Sequence, residues 1–128
     1  MEDVRGSTFV SSDTLSQLGT LTRDDIDQLE HGAIKVDDDG TILLYNRYEA
    51  QLSALDPATT EGKKFFTQVA PCTNNRLFYG KFLEGIEDNE LDVEFSYTFT
   101  YRMRPTLVRI MMRRDAATRS TWIFVKRR

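Results

Sequence analysis

A ten-residue run in the C-terminal third of the chain sets the strongest constraint on its fold. Residues 92–101 alternate without interruption between polar side chains and large apolar ones, which are Val93, Phe95, Tyr97, Phe99 and Tyr101. Because successive side chains of a strand point to opposite faces, this pattern predicts a β-strand. The chain is therefore expected to contain a sheet with one aromatic face and one polar face along this strand.

Two β-rich runs earlier in the chain predict a hairpin. Residues 33–36 and 41–45 flank Asp37-Asp38-Asp39-Gly40, an acidic turn that ends in glycine. Three adjacent carboxylates raise a calcium site as an alternative. A calcium loop, however, needs alternating oxygen ligands and a bidentate Glu further on. That spacing is missing, so the segment is interpreted as a solvated turn and no metal site is predicted.

The end of the chain completes the predicted sheet. Residues 106–113 and 121–126 indicate two more strands, joined by a polar turn at 115–120. Short connections make the last three strands an antiparallel meander. With the hairpin they form a single five-stranded antiparallel sheet, and helices before and between the strands indicate an α+β domain.

Apolar spacing predicts helices in two regions. Large apolar residues recur at i, i+4 and i+8 from Phe78 and indicate a helix over 76–88. Within 12–31, leucines at spacing three indicate two short amphipathic helices. Thr22-Arg-Asp-Asp25 resembles a capping box at the start of the second helix, and Gly32 is a plausible stop.

Size and composition exclude several classes of protein. The 128 residues suit one domain over residues 1–128, and 40% hydrophobic with 11% aromatic residues argue against disorder. No run approaches about 18 apolar residues, so no membrane span is predicted. The first ten residues lack a secretory signal, so the protein is expected in the cytoplasm. One cysteine and one histidine exclude an internal disulfide and a four-ligand zinc site.

Charge is distributed unevenly along the chain. The last 27 residues hold nine Lys or Arg and one acid, although the formal net charge of the whole chain is −3. A nucleic-acid surface is one interpretation. The alternative is that Arg109, Arg113 and their neighbours lie on the solvent face of edge strands and protect those edges from pairing. No nucleic-acid motif is present, so no nucleic-acid partner is predicted.

Cys72 follows Pro71 at the end of an irregular connection, residues 46–71. Long connections that keep aromatic residues are often functional and line a binding site. A lone cysteine is most often a small buried apolar residue. A Cys–His hydrolase using His31 is an alternative, but neither an oxyanion loop nor an orienting pattern is evident.

Tyr45 and Glu49 lie four residues apart just after a predicted strand, and would share a face if the chain turned helical there. An exposed pair would be unremarkable. A buried pair would be costly, because a buried carboxyl group must be protonated or hydrogen bonded, and it could bind a buried anionic oxygen. Periodicity alone leaves both orientations open.

A set of spaced motifs covers essentially the whole chain. The motifs are Tyr45-Asn46-x-x-Glu49, Asp56-Pro57, Gly62-Lys63-x-Phe65-Phe66, Val69-Ala70-Pro71-Cys72-Thr73, Phe78-Tyr79-Gly80-Lys81-Phe82, Tyr97-Thr98-Phe99-x-Tyr101-x-Met103-x-Pro105 and Trp122-x-Phe124-Val125-Lys126. Together they resemble the photoactive yellow protein family, bacterial blue-light receptors with a PAS fold. The resemblance is weakest over the first 30 residues.

The resemblance implies a PAS core over 31–128, an N-terminal helical cap over 1–30, and a covalent cofactor. In the family a trans-4-hydroxycinnamoyl (p-coumaric acid) group is joined to cysteine as a thioester, which points to Cys72. Its phenol would reach Tyr45 and Glu49 as a buried phenolate. A phenol has a pKa of about 10 in water, so hydrogen bonds from Tyr45 and a protonated Glu49 would have to favour the anion.

The family precedent also implies a signalling sequence. Light would isomerise the vinyl bond from trans to cis, and Glu49 would then give its proton to the phenolate. A newly buried carboxylate costs several kcal/mol, a large share of the ~5–15 kcal/mol that stabilises a small domain. The N-terminal cap is expected to respond by partial unfolding.

The resemblance also assigns the pocket walls, with some departures from the family. Ser53 replaces a family Thr that supports the Tyr45 hydroxyl. The expected walls are Phe65, Val69, Ala70, Tyr97, Phe99, Tyr101 and Met103, with Met103 assisting return to trans. Leu55 stands where better-known members have an Arg, and Ala50 and Ala54 replace two glycines.

The leading hypothesis is therefore a blue-light photoreceptor without catalytic turnover. The alternatives are a PAS ligand-binding or interaction module that takes no pigment, and a thiol enzyme. A separate, unknown signalling protein is the expected partner, and a monomer or weak dimer the expected state.

Overall fold

The computed structural model describes residues 9–100 and 105–128, and its centre is a five-stranded antiparallel sheet. Its spatial order is β2-β1-β5-β4-β3. The strands are β1 (Gly32–Val36), β2 (Ile42–Tyr45), β3 (Asp92–Phe99), β4 (Thr106–Asp115) and β5 (Ser120–Arg127). The predicted α+β class, the hairpin and the final meander are confirmed.

Between residue 9, where the described part of the chain begins, and β1, the N-terminal region forms two short helices and one additional turn. Helix α1 is Ser12–Leu15, a 3-10 turn follows at Leu18–Thr20, and α2 is Arg23–Asp27. The capping box is confirmed, because the Thr22 hydroxyl accepts from the Asp25 amide while the Asp25 carboxylate accepts from the Thr22 amide. The predicted stop at Gly32 is wrong: α2 ends at Asp27, and Gly32 is the first residue of β1.

The connection after the hairpin is built from short helices. Helix α3 is Arg47–Ser53 and α4 is Pro57–Thr60. A π-type turn at Phe65–Val69 and a 3-10 turn at Pro71–Thr73 lead to α5, Tyr79–Asp88. Helix α5 begins three residues later than the apolar spacing predicts, because Phe78 serves as its N-cap residue.

The two faces of the sheet carry separate apolar clusters. The inner cluster joins Ile34, Val108 and Val125 of the sheet to Phe65 and Phe78 of the helical connection. The outer cluster joins Ala33, Met111, Trp122 and Phe124 to Val10, Leu18 and Ile26 of the N-terminal region. The N-terminal helices therefore cover the sheet face opposite to the helical connection.

The observed strand order corrects the predicted position of two basic residues. Arg109 and Arg113 lie on β4, which has strands on both sides, whereas the edges are β2 and β3. Arg109 forms an ion pair with Glu94 on the neighbouring strand β3, and Arg113 Nη1 lies 3.8 Å from Asp92 Oδ2 on the same strand. They are therefore cross-strand partners of β3 and do not protect a sheet edge.

A buried arginine of β4 connects the acidic turn, the end of α5 and the start of β5 at one end of the inner face. The Arg114 side chain has no exposed area, and its Nη1 lies 2.7 Å from Asp38 Oδ1. Its Nε donates to Asn89 Oδ1 at 2.9 Å and its Nη1 to Thr121 Oγ1 at 3.2 Å. The acidic turn is therefore more than a solvated connection: Asp38 joins it to the end of α5 and to the β4–β5 hairpin.

Candidate functional site

The site is organised by Asn46, which joins β2 to α3 and is fully buried. Its Oδ1 accepts from the Glu49 amide at 3.1 Å, which caps α3, and from the Ala33 amide at 2.9 Å. Its Nδ2 donates to the carbonyls of Ile26 at 2.7 Å and His31 at 3.0 Å. One side chain thus locks the start of α3 to the start of β1 and to the end of the N-terminal region.

This role of Asn46 was not predicted, although the residue belongs to the motif quoted for the resemblance. The available signal was an Asn directly before a helical segment, a preferred N-cap residue. The Ala33 amide of β1 and the His31 carbonyl just before that strand are 13 and 15 residues distant in sequence, and no local pattern indicates them.

Tyr45 and Glu49 both face inward, which resolves the orientation that periodicity left open. Tyr45 is 1% exposed and Glu49 is 0% exposed. Tyr45 ends β2, whereas Glu49 lies in the first turn of α3, so they come from two elements and do not share one helix face. The strand-to-helix junction brings both groups to the inner side of the sheet.

Ser53 links the two residues. Its hydroxyl lies 2.8 Å from the Tyr45 hydroxyl and donates to the Glu49 carbonyl at 2.9 Å. It is 2% exposed. Ser53 therefore ties the Tyr45 phenol to the Glu49 backbone in a water-poor interior that also holds the buried Glu49 side chain. In such an interior, hydrogen bonds to an anion are strongest.

Cys72 lies in the 3-10 turn and packs against the inner cluster while remaining partly exposed. Its carbonyl accepts from the Tyr97 hydroxyl at 2.5 Å and from Asn75 Nδ2 at 3.2 Å. Tyr97 therefore ties the cysteine turn to β3.

The other expected wall residues are placed on the same side of the sheet. Phe65, Ala70 and Phe99 are buried in the inner cluster, and Val69 and Tyr97 pack against it. Tyr101 and Met103 lie outside the described residues. Phe78 was not predicted as a wall residue, yet its ring contacts those of Phe65, Tyr97 and Phe99. Its sequence signals were its place in the helical periodicity and in one of the motifs quoted for the resemblance.

The positions that depart from the resembled family lie around the end of α3. Leu55 packs against the inner cluster as an apolar residue. Ala54 caps α3 with a left-handed backbone, φ 62 and ψ 32, a conformation that favours glycine. Ala50 lies in the helical interior, where alanine is the better residue.

A Cys–His pair does not form. His31 contacts the rings of Phe9 and Phe124 on the outer side of the sheet, whereas Cys72 packs against the inner cluster. Burial, with a smaller contribution from Lys126, lowers the pKa of His31 from its usual value. The two side chains lie on opposite faces of the sheet and cannot exchange a proton directly.

A surface cleft of about 600 Å³ lies between α2, α3 and α4 and reaches Tyr45. Neither Glu49 nor Cys72 lines it. Glu61 borders this cleft, forms an ion pair with Arg23 and accepts from the Tyr45 amide at 3.0 Å. The cleft is therefore separate from the inward-facing site.

Comparison with known proteins identifies the family. Residues 23–127 match the family model of the PAS fold. A photoactive yellow protein from Halochromatium salexigens is 41% identical over 119 residues, 93% of this chain and 95% of the relative. One from Cereibacter sphaeroides is 39% identical over 99 residues, which cover 77% of this chain and 80% of that relative. The chain belongs to the photoactive yellow protein family.

Solved structures agree with this membership. The photoactive yellow protein domain of the sensor histidine kinase Ppr from Rhodospirillum centenum has a TM-score of 0.81 and 39% identity. It covers 87% of this chain and 97% of that domain. A quorum-sensing receptor PAS domain from Cronobacter turicensis, at 13% identity and TM-score 0.63 over 80% and 97% of the two chains, shares the fold alone.

Membership in the photoactive yellow protein family confirms the predicted PAS fold and the assignment as a PAS-type photoreceptor. Among residues 9–100 and 105–128, none of the helices has the length and apolarity needed to cross a membrane.

Proposed function

We propose that this protein is a blue-light receptor that binds a 4-hydroxycinnamoyl group as a thioester of Cys72 and holds its phenolic oxygen at Tyr45 and Glu49. The observation that carries the proposal is the fully buried Glu49 carboxyl group. The helix that carries it also carries Ser53, whose hydroxyl lies beside the Tyr45 hydroxyl and donates to the Glu49 backbone carbonyl. These residues face the side of the sheet against which the chain's only cysteine packs.

The residues present fit such a group. The partly exposed residue Cys72 offers a thiol for attachment, and the interior offers aromatic walls with a few polar groups, the usual composition of a cofactor pocket. Loading forms one bond and breaks one: Cys72 Sγ attacks the carbonyl carbon of an activated coumaroyl donor, whose leaving group departs with the electron pair. The thiol proton passes to solvent.

When bound, the group supplies blue-light absorption and trans-to-cis isomerisation. The residues of the chain supply its electrostatic environment. In the dark, Glu49 holds a proton on its carboxyl group, because an ionised Glu49 beside a phenolate would place two negative charges in a buried site. Tyr45 and Glu49 then both donate toward the phenolic oxygen, and because the proton is shared the group titrates as a coupled unit.

Ser53 allows Tyr45 to act as a donor. Its single proton can go to the Glu49 carbonyl or to the Tyr45 oxygen. When the Tyr45 hydroxyl donates its proton toward an anion, the Ser53 hydroxyl can turn and donate its own proton to the Tyr45 oxygen. The Tyr45 oxygen then keeps a hydrogen bond from Ser53. Rotating hydroxyl groups therefore make this change without moving the backbone.

After light absorption, Glu49 gives its proton to the oxygen at the end of the pocket and becomes a buried carboxylate. The N-terminal cap is the proposed responder. Asn46 binds the Ile26 carbonyl at 2.7 Å and also caps α3 at Glu49, so a displacement at Glu49 reaches the end of α2 through one side chain. A separate signalling protein would detect the released cap.

The attachment site is tested by loading the protein with activated coumarate and measuring intact mass. The wild-type mass should rise by one coumaroyl group and fall again with hydroxylamine, whereas Cys72→Ala should gain nothing and stay colourless. Retention of the added mass by Cys72→Ala would contradict the proposal. Circular dichroism of Cys72→Ala confirms that it is folded.

The phenolic end is tested by Glu49→Gln, which keeps the size of the side chain and weakens its donor. Absorption should move to longer wavelength, because ground-state charge is held less tightly at the phenolic oxygen. An unchanged or shorter wavelength would exclude Glu49 as the partner. Gln51→Glu, on an exposed position of the same helix, is the matched control and should leave the spectrum unchanged.

A further inference from the structure

Gly32 has no conformational reason to be a glycine. It is the first residue of β1, is buried and pairs with Val125 of β5. Among the glycines that the structure describes, those with positive φ are Gly40 and Gly62, so Gly32 has a backbone that any residue could adopt. A glycine within a strand costs stability and often marks a site where another group approaches the backbone closely.

The approaching group is the carboxyl of Glu49. A Cβ added at Gly32 would lie 2.2 Å from Glu49 Oε1 and 3.3 Å from Glu49 Cδ. Val125 Cβ would lie 3.2 Å away. Since real side chains do not approach to 2.2 Å, the carboxyl group occupies the space that a side chain at position 32 would fill.

The backbones on both sides of this contact are fixed. Asn46 binds the His31 carbonyl and the Ala33 amide, the residues immediately before and after Gly32, and it also caps α3 at Glu49. The strand and the helix therefore cannot separate to admit a methyl group without breaking this clamp. The side chain of Glu49 is the part that must move.

We propose that Gly32 is a positioning residue that holds the Glu49 carboxyl group in place by the absence of its own side chain. Its effect on colour rests on the proposed function, because it acts through the Glu49 hydrogen bond to the phenolic oxygen. Gly32→Ala should push the carboxyl away from β1 and change that bond.

The contact itself is tested on protein without pigment, by a double-mutant cycle in urea. Gly32→Ala should lower the unfolding midpoint of the wild-type chain. In a Glu49→Ala background, which vacates the space, the same change should lower the midpoint clearly less, with the Val125 contact as the remaining cost. Equal losses in the two backgrounds would overturn the proposal. This cycle gives its result whether or not the protein binds a pigment.

The positioning role is tested on pigment-loaded protein by absorption and by the infrared carbonyl band of the protonated Glu49. Gly32→Ala should shift both, and in the Glu49→Ala background it should shift absorption no further. Gly80→Ala is the matched control, because a Cβ there meets only Arg76 carbons at 3.6 and 4.0 Å; it should shift neither.

The outcomes separate the two proposals. Non-additive stabilities with unchanged spectra would show that Gly32 accommodates Glu49 without positioning it for the pigment, which overturns the positioning role. A wild-type chain that takes up no coumaroyl group overturns the proposed function, while the cycle in urea still decides whether Gly32 and Glu49 are coupled.

Discussion

The Tyr45 and Ser53 hydroxyl oxygens lie 2.8 Å apart in a fully desolvated part of the structure. Tyr45 comes from the end of a strand and Ser53 from the last turn of the helix that follows. Because Ser53 can donate to the Glu49 carbonyl or to Tyr45, the pair can rearrange its protons when a negative charge enters the pocket.

Replacing Ser53 tests this hydroxyl pair. Ser53→Ala removes the group that can donate to Tyr45, so in pigment-loaded protein the Tyr45 hydrogen bond should weaken and absorption should move to longer wavelength. The loss of a buried hydrogen bond should also cost about 1 kcal/mol of unfolding free energy. Ser53→Thr keeps the hydroxyl and is the control; if both variants shift the spectrum equally, the hydroxyl is not responsible.

The left-handed cap of α3 predicts a stabilising change. Ala54 has φ 62, a conformation in which a Cβ is strained, so Ala54→Gly should raise the unfolding free energy by about 1 kcal/mol. Ala50→Gly, four residues earlier inside the same helix, should lower it by about 1 kcal/mol. Urea denaturation of both variants measures the difference. Two changes of the same sign would contradict the conformational assignment.

His31 predicts a pH dependence of stability. Burial lowers its folded-state pKa, with a further contribution from Lys126, so the unfolded chain binds a proton more readily. The neutral ring packs between Phe9 and Phe124. The contribution of His31 is therefore complete above its unfolded pKa, about 6.5, and declines as the pH falls from there toward the lower folded pKa.

The change His31→Phe isolates this effect because it keeps an aromatic ring and removes the titration. The difference in unfolding free energy between wild type and this variant should depend on pH below about 6.5 and level off above it. Denaturant titrations between about pH 5 and pH 8 provide the measurement. A difference independent of pH would mean that His31 has the same pKa in both states.

Replacing the buried Arg114 should cause a large loss of stability. Arg114→Met should lower the unfolding free energy by about 2–3 kcal/mol, because it removes charge-assisted bonds from a fully buried guanidinium group. Arg113→Met, next to it on the outer face, should cost less than about 1 kcal/mol. Thermal denaturation compares the two, and similar losses would contradict the role assigned to Arg114.

The sequence predicts the elements that are encoded locally. The strand predicted over 92–101, the acidic hairpin turn and the Thr22–Asp25 capping box all follow from rules that act within a few residues. The structure confirms the turn and the capping box, and it confirms the strand over Asp92–Phe99. The family resemblance supplied Tyr45, Glu49 and Cys72. The structure places all three on the inner side of the sheet.

The remaining features depend on contacts between distant parts of the chain. Gly32 was interpreted as a helix stop because glycine often ends helices; its actual partner, Glu49, lies 17 positions further on. Asn46 is quoted only as part of a motif, because its hydrogen bonds to the His31 carbonyl and the Ala33 amide form only when α3 is folded against the start of β1. The predicted edge position of Arg109 and Arg113 is wrong, because the spatial order of the strands differs from their order along the chain and places β4 inside the sheet.

The absorption spectrum of coumarate-loaded protein, recorded in darkness and after a blue flash, decides whether the protein is a blue-light receptor with a phenolate pigment. We expect a yellow protein whose blue absorption bleaches after the flash and returns in darkness. Cys72→Ala treated in the same way should show no visible band. A loaded wild-type protein that is colourless at neutral pH, or coloured but unchanged by light, would contradict the proposed function.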